Sequence, residues 1–409
     1  MALGIEKIDL YTGQFRADAA EIAAARGTDP EYVREQVMIE ERSVVAPWED
    51  SVTLAVNAAS RLLTPEEKAE VELLVVGSES GVDFGKPIST WVHRFLELPA
   101  RCRSFEVKHA CYGGNAALRT ALWWSASGVR PGKKALVVST DLTRPDPELT
   151  EGFDFIGGGC AVAMLVGDQP RVLEIDPREG GYWTQEIADT FRPTSRAEMG
   201  DSQTSLYAYL DALEGAYLHF RDGAEGFDYD AAFRKHVYHA PFPGMTAQAH
   251  RTVLQLEGET CLDRARESFR AKVEEGLHFG RRIGTAYGAS NFVSLLGLLA
   301  TAPDLSAGDR VSLFAYGSGC QSEFWAGRIG AEAVEQVRAL GLDGRLERRA
   351  RLDVEAYDAM ERERARHIDA RTWAPARDEH RDTWRRLYEG EGLLFLVGVR
   401  DYYREYGWS

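Results

Sequence analysis

The chain has 409 residues, 44% apolar and 27% charged, which is enough to bury a large core as two domains or one double-layered unit. A net charge of −16 argues against a nucleic-acid binder, which needs a basic surface to displace counterions. Five cysteines (102, 111, 160, 261 and 320) form no Cys-x-x-Cys pair and no zinc spacing with histidine, so free thiols, a reducing cytoplasmic setting and no metal are expected.

The first residues, Met1-Ala-Leu-Gly-Ile-Glu-Lys-Ile-Asp9, carry charge where a signal peptide would need an apolar stretch. Apolar positions 52, 55, 56, 59, 62 and 63 predict a helix over 51–63, stopped by Thr64-Pro65, which also reads as the cap and first position of another helix. Strands are predicted over 71–77, 135–140, 160–166, 311–316 and 393–399, each a β-branched or aromatic run bounded by glycine or polar residues. Helical periodicity returns at 115–124 and 205–220. It returns again at 292–302, a greasy run too short for a bilayer and broken by Ser294 and Gly297, hence a buried helix. The charge-dense stretch 344–390 holds one more helix, 353–368, read as a solvated face.

Strands alternating with helices imply an α/β protein with a largely buried sheet. One set ends near Gly167 and another begins near Tyr229, which predicts two similar halves, 1–168 and 169–409, the second carrying an elaboration over about 169–227.

The chemistry concentrates at strand ends. Cys111 follows a strand-like approach and precedes Gly113-Gly114 and a helix, a strand-to-helix elbow whose positive helix end would favour thiolate. Free cysteine is also among the most buried residue types, so the residues alone leave both a packed thiol and a nucleophile open. Glu79 sits just past the strand 71–77 in Gly77-Ser-Glu79-Ser-Gly81, where partial burial could raise a carboxylate into the range of a general base. His239 ends another strand, in an extended exit fixed by Pro241 and Pro243, and could hydrogen-bond a carbonyl or move a proton. His109, two residues before the thiol, would share its side of a strand. The turn Gly317-Ser318-Gly319 could aim backbone N–H groups at an oxyanion. Gly157-Gly158-Gly159 lacks the Lys-Ser/Thr of a phosphate loop and reads as close backbone packing.

Taken in order, Gly77-Ser-Glu79-Ser-Gly-Val-Asp, Phe105-Glu-Val-Lys-His-Ala-Cys111-Tyr-Gly-Gly, His239-Ala-Pro-Phe-Pro-Gly and Tyr316-Gly-Ser-Gly-Cys-Gln-Ser-Glu-Phe324 resemble the 3-hydroxy-3-methylglutaryl (HMG-CoA) synthase family. Gly85-Lys-Pro-Ile-Ser-Thr-Trp-Val-His-Arg-Phe-Leu96 and Cys102-Arg-Ser-Phe-Glu-Val-Lys108 are more similar to its polyketide branch than to the mevalonate enzyme. The resemblance implies a thiolase-like fold, two related α/β halves in a five-layered αβαβα arrangement, as a homodimer. It implies β-branching of a polyketide. Cys111 would take acetyl (or propionyl) from a donor acyl carrier protein and Glu79 would form the enolate. His239 would polarise the β-ketone of a chain on an acceptor carrier protein, and the N–H groups of Cys111 and Ser318, beside Gly317, would steady the thioester oxygen. Hydrolysis would release the product. No cofactor of its own is implied, since substrates ride on phosphopantetheine arms or CoA.

Where the family usually has Gly-Asn, this chain has Gly284-Thr285, so Thr285 is the acceptor contact that departs from the pattern. A primary-metabolism enzyme acting on acetyl-CoA and acetoacetyl-CoA is the alternative within the family, and a non-catalytic carrier-protein docking protein the alternative outside it. Carrier proteins being typically acidic, a docking patch would draw on Arg34, Arg101, Arg103, Lys133, Lys134, Arg281 or Arg282.

Overall fold

A computed structural model describes residues 2–144, 154–223 and 227–409. Ten strands join one mixed sheet: β1 (Gly4–Tyr11), β2 (Val71–Gly77), β3 (Arg103–Val107), β4 (Lys134–Leu142), β5 (Gly159–Gly167), β6 (Leu173–Glu174), β7 (Gly181–Thr184), β8 (Lys235–Tyr238), β9 (Arg310–Gly317) and β10 (Gln321–Ile329). Their order is β8-β9-β10-β6-β1-β5-β4-β2-β3, with β7 paired to β10. Strands β2, β3 and β4 are parallel, β5 runs antiparallel to both β4 and β1, and β8 and β9 are parallel.

Six helices matter for the site: α1 (Ser51–Ser60), α2 (Gly113–Ala126), α3 (Ser202–Asp222), α4 (Met245–Leu256), α5 (Ser290–Thr301) and α6 (Val354–His367). Alternation along the strands assigns their partners. Leu74, Val76, Leu136, Val138 and Leu165 share a core with α1, while Leu73, Val75, Val137, Val162 and Met164 face Leu118 and Leu122 of α2. That second core also takes in Phe292, Leu295, Leu296 and Leu299 of α5 together with Val311, Leu313 and Trp325 of β9 and β10. The opposite face of β9 and β10, Phe314 and Phe324, packs on α3 and α4. The layers therefore run helix, sheet, helix, sheet, helix. Each fully buried Leu or Phe stabilises this stack by about 1.5–3 kcal/mol.

The predicted boundaries hold for the strands of the sheet, and Thr64 does cap a second helix through a reciprocal bond with Glu67. Two expectations change. The strand read at 393–399 is Leu394–Arg400, which lies outside the large sheet, pairing with Tyr403–Trp408 in a separate hairpin and, at Val399, with Trp373, while its Leu396 N–H is taken by Trp48 O. Helix α6 is not simply a solvated face. Tyr357, Met360 and Glu361 are buried, and Arg364 donates to Thr143 O at 2.7 Å. The elaboration around 169–227 contributes β7 and α3; its residues 224–226 lie outside the described set.

Backbone contacts fix where the helix after Cys111 begins. A Cβ on Gly77 would lie 2.3 Å from Gly113 O, and one on Gly114 would lie 2.3 Å from Gly288 O and 2.5 Å from Ser139 Oγ. A buried network then ties the same helix to β10. Tyr112 Oη and Asn115 Nδ2 donate to Glu323 at 2.7 and 2.9 Å, Arg119 pairs with Glu323 at 2.7 Å, and Trp325 Nε1 donates to Asn115 at 2.9 Å. Removing one partner from such a buried ionic network costs about 3–5 kcal/mol.

Candidate active site

Cys111 and Glu79 meet. Strand β2 ends at Gly77 and carries Glu79 two residues further, and the Cys111 thiol reaches its Oε1 at 3.5 Å. Ala110, immediately before the cysteine, adopts φ +39°, the unusual turn that brings the thiol back toward β2. Burial pushes the Glu79 carboxyl up to about 7, against the pull of Arg192, with Asp141 and Glu198 adding to the rise. Burial, with the Glu79 and Asp141 carboxylates, also pushes the Cys111 thiol well above its ordinary range. The expected resting thiolate is therefore corrected. The helix end following Cys111 is outweighed by burial of the thiol and by the neighbouring Glu79 and Asp141, and the free site holds a thiol beside a carboxylate of near-neutral pKa.

His239 follows β8, its N–H donating to Phe314 O at 2.7 Å and its carbonyl accepting from Tyr209 Oη at 2.8 Å. Nδ1 lies 2.5 Å from Ser290 Oγ, the first residue of α5. Ser290 Oγ also accepts from Ala240 N–H at 3.4 Å, and donation of its own hydrogen to Nδ1 would place the ring hydrogen on Nε2. Nε2 is buried and without a hydrogen-bond partner. Burial alone lowers His239 to about 3, so it is a neutral imidazole with one open position.

The turn after β9 lies against the cysteine loop. A Cβ on Gly317 would meet Tyr112 N at 2.5 Å and His109 O at 2.6 Å, so only glycine allows this approach. Among the described residues, no acceptor takes the N–H of Cys111 or of Ser318, which leaves two donors for a thioester oxygen. His109 does not join Glu79. Its ring packs edge-on to Tyr112, with Nε2 buried and unpartnered. Thr285 is held by its backbone, its N–H donating to Ile156 O at 2.9 Å and its carbonyl facing Gly158, rather than by contact with Cys111, Glu79 or His239. Asn291 does not replace the missing amide, since its Nδ2 donates to Phe314 O at 2.8 Å.

Family models for hydroxymethylglutaryl-coenzyme A synthase match the chain, the N-terminal one over residues 2–171 and the C-terminal one over 250–407. The chain belongs to this synthase family. It is 37% identical over 374 residues to the polyketide biosynthesis 3-hydroxy-3-methylglutaryl-ACP synthase PksG of Bacillus subtilis, covering 88% of both chains. It is 32% identical to a hydroxymethylglutaryl-CoA synthase of Enterococcus faecalis, covering 88% of this chain and 91% of that one. Its structure superposes on the HMG synthase of the curacin biosynthetic pathway, solved in complex with acetyl donor-ACP, with a TM-score of 0.94, 34% identity and full coverage of both chains. The fold is accordingly thiolase-like.

The synthase site also contains residues that the sequence reading did not single out. Asp141, at the end of β4, accepts from the N–H groups of Glu79 and Ser80 at 2.9 and 3.1 Å and from Ser78 Oγ at 3.1 Å, fixing the Glu79 loop. Its position in a strand-end Thr-Asp-Leu was the one available signal. Asp189 anchors the oxyanion turn, accepting from Tyr316 Oη at 2.6 Å and Gly319 N–H at 3.0 Å. Arg192 Nε lies 3.4 Å from Glu79 Oε2 while Nη2 pairs with Glu198 at 2.8 Å, and its guanidinium lies 4.9 Å from the Tyr287 ring centroid. Nothing in the spacing links residues 113 apart.

Since Arg192 lowers the Glu79 pKa, Arg192→Gln should raise it further. A base works only when deprotonated, so the rising limb of the pH–rate profile should move to higher pH by about one unit or more. Arg192→Lys should restore part of the shift. An unmoved limb in Arg192→Gln would remove Arg192 from control of Glu79.

Proposed function

We propose that the chain is a polyketide β-branching synthase that takes an acetyl (or propionyl) group from a donor acyl carrier protein and adds it to the β-keto carbon of an acceptor-bound chain. The carrying observation is the Cys111–Glu79 contact of 3.5 Å, a nucleophile beside a base of near-neutral pKa, in a chain whose similarity to PksG exceeds that to the Enterococcus enzyme.

In this reading the Cys111 thiol proton passes to Glu79 as sulfur attacks the donor thioester, and then to the departing pantetheine sulfur. Glu79 is returned to its carboxylate form. It next takes a proton from the acetyl methyl, and the N–H groups of Cys111 and Ser318 hold the enolate oxygen. The enolate carbon bonds to the acceptor β-carbon while His239 Nε2–H binds the ketone oxygen. The proton taken by Glu79 equals the one required by the new hydroxyl, so condensation is proton-neutral. Water then cleaves the Cys111 thioester, leaving a carboxymethyl branch and a free thiol. Holding the acetyl group covalently turns a bimolecular attack into a positioned one.

Acetyl-loaded carrier protein with an acceptor carrier should be turned over far faster than acetyl-CoA with acetoacetyl-CoA. Equal or better turnover of the free CoA pair would favour the primary-metabolism reading. His239→Ala should still acylate but lose condensation by about 10²-fold or more. Retained condensation would remove His239 from the ketone contact.

The partners proposed are the two carrier proteins and a second copy of the chain, in the cytoplasm. Edge strand β3 supports the homodimer, because it leaves an unpaired ladder and an exposed Phe105. Of the candidate docking residues, Lys134 is withdrawn, being buried against Glu6 at 2.6 Å and Asp168 at 3.3 Å. Arg281 and Arg282 pair with Glu274 and Asp343, and Arg34, Arg101 and Arg103 are exposed without a carboxylate partner among the described residues. No helix among the described residues is long and apolar enough to cross a membrane.

A further inference from the structure

A second cavity, of about 420 Å³, opens where β1 ends. In the sheet order β1 lies three strands from β2, which carries Glu79, so about 15 Å of sheet separates the two places. Six arginines line the cavity: Arg16, Arg61, Arg345, Arg348, Arg349 and Arg386. In a chain of net charge −16 this is a marked local inversion.

The arginines are incompletely neutralised. Arg345 pairs with Asp9 at 2.7 Å, while Arg16 and Arg349 share Glu41. Arg61, Arg348 and Arg386 have no carboxylate within ion-pair reach among the described residues, and Arg16 Nε is buried without a hydrogen-bond partner. Glu347 and Glu391 are the acids of the lining, with Asp9, Glu41 and Glu49 behind it, so the six guanidinium groups outnumber these five carboxyls. The crowding is felt electrostatically. Burial, with Arg282 and Arg16 adding to it, lowers Arg349 to about 9, while Arg16 is lowered by burial and by Arg351 and Arg282.

We propose that this cavity is a binding site for a phosphate-bearing anion, separate from the Cys111 site. A concave space of this volume suits a small ligand rather than a protein surface, and guanidinium forks match phosphate oxygens pairwise. The inference stands on the cavity alone and does not rest on the reaction assigned above.

Inorganic pyrophosphate is the probe. The full chain should show a saturable rise in melting temperature with pyrophosphate that sodium chloride at equal ionic strength does not reproduce. Arg348 and Arg386 are exposed and unpaired, so the double variant Arg348→Ala/Arg386→Ala should fold normally. It should bind pyrophosphate weaker by about ten-fold or more, the scale of one charge-assisted hydrogen bond. Adenosine diphosphate separates the two sources of such a group: tighter binding than pyrophosphate assigns the site to a nucleotide, equal binding to phosphate itself. No saturable shift in the wild type, or an unchanged affinity in the double variant, overturns the proposal.

Discussion

Cys111→Ala is expected to abolish acyl-enzyme formation. After incubation with acetyl-loaded donor carrier protein, the wild-type chain should gain one acetyl mass by intact-protein mass spectrometry and the variant none. Cys111 is the thiol within hydrogen-bond reach of Glu79, whereas Cys160 is buried in the central core and Cys261 is exposed on the surface. Turnover should fall by at least the 10³-fold typical of a lost covalent nucleophile. Acetylation of the variant at an undiminished rate would sink both the assignment and the proposed reaction, and would return the docking-protein reading to consideration.

Glu79→Gln should separate the two halves of the reaction. Glutamine keeps the size of the side chain and removes a negative charge that helps hold the Cys111 proton in place, so the thiol pKa falls. Acylation should slow but persist, the thiol proton then passing directly to the departing sulfur, while condensation falls by about 10²–10⁴-fold, and the acetyl-enzyme should accumulate. The wild-type rate should rise with pH through about 7, because the carboxylate form of Glu79 does the work and its folded-state pKa lies there. That limb should be missing from any residual activity of Glu79→Gln. Full condensation by the variant would take Glu79 out of the base role.

Most of the framework could be read from the sequence because it is local. Buried strands such as 71–77 and 160–166 announce themselves as apolar runs bounded by glycine or polar residues, and the residues just past their ends are where α/β folds place functional groups. Glu79 and His239 stand at such ends, and Cys111 at a strand-to-helix elbow. What the sequence hid was pairwise and distant. Arg192 reaches Glu79 from the segment between β7 and α3, and Ser290 orients His239 from the start of another helix. The protonation state of Cys111 escapes the sequence for the same reason: the helix that follows it is visible there, while the burial of the thiol and the approach of Glu79 and Asp141 are not.

The contact between Cys111 and Glu79 has a consequence for the enzyme at rest. A thiol kept protonated by burial and by the carboxylate beside it is a poor target for electrophiles and peroxides, which react with thiolates. The enzyme waiting for a loaded carrier is therefore chemically quiet. Its reactivity appears when a thioester is delivered next to the sulfur, so selectivity comes from delivery as much as from pocket shape.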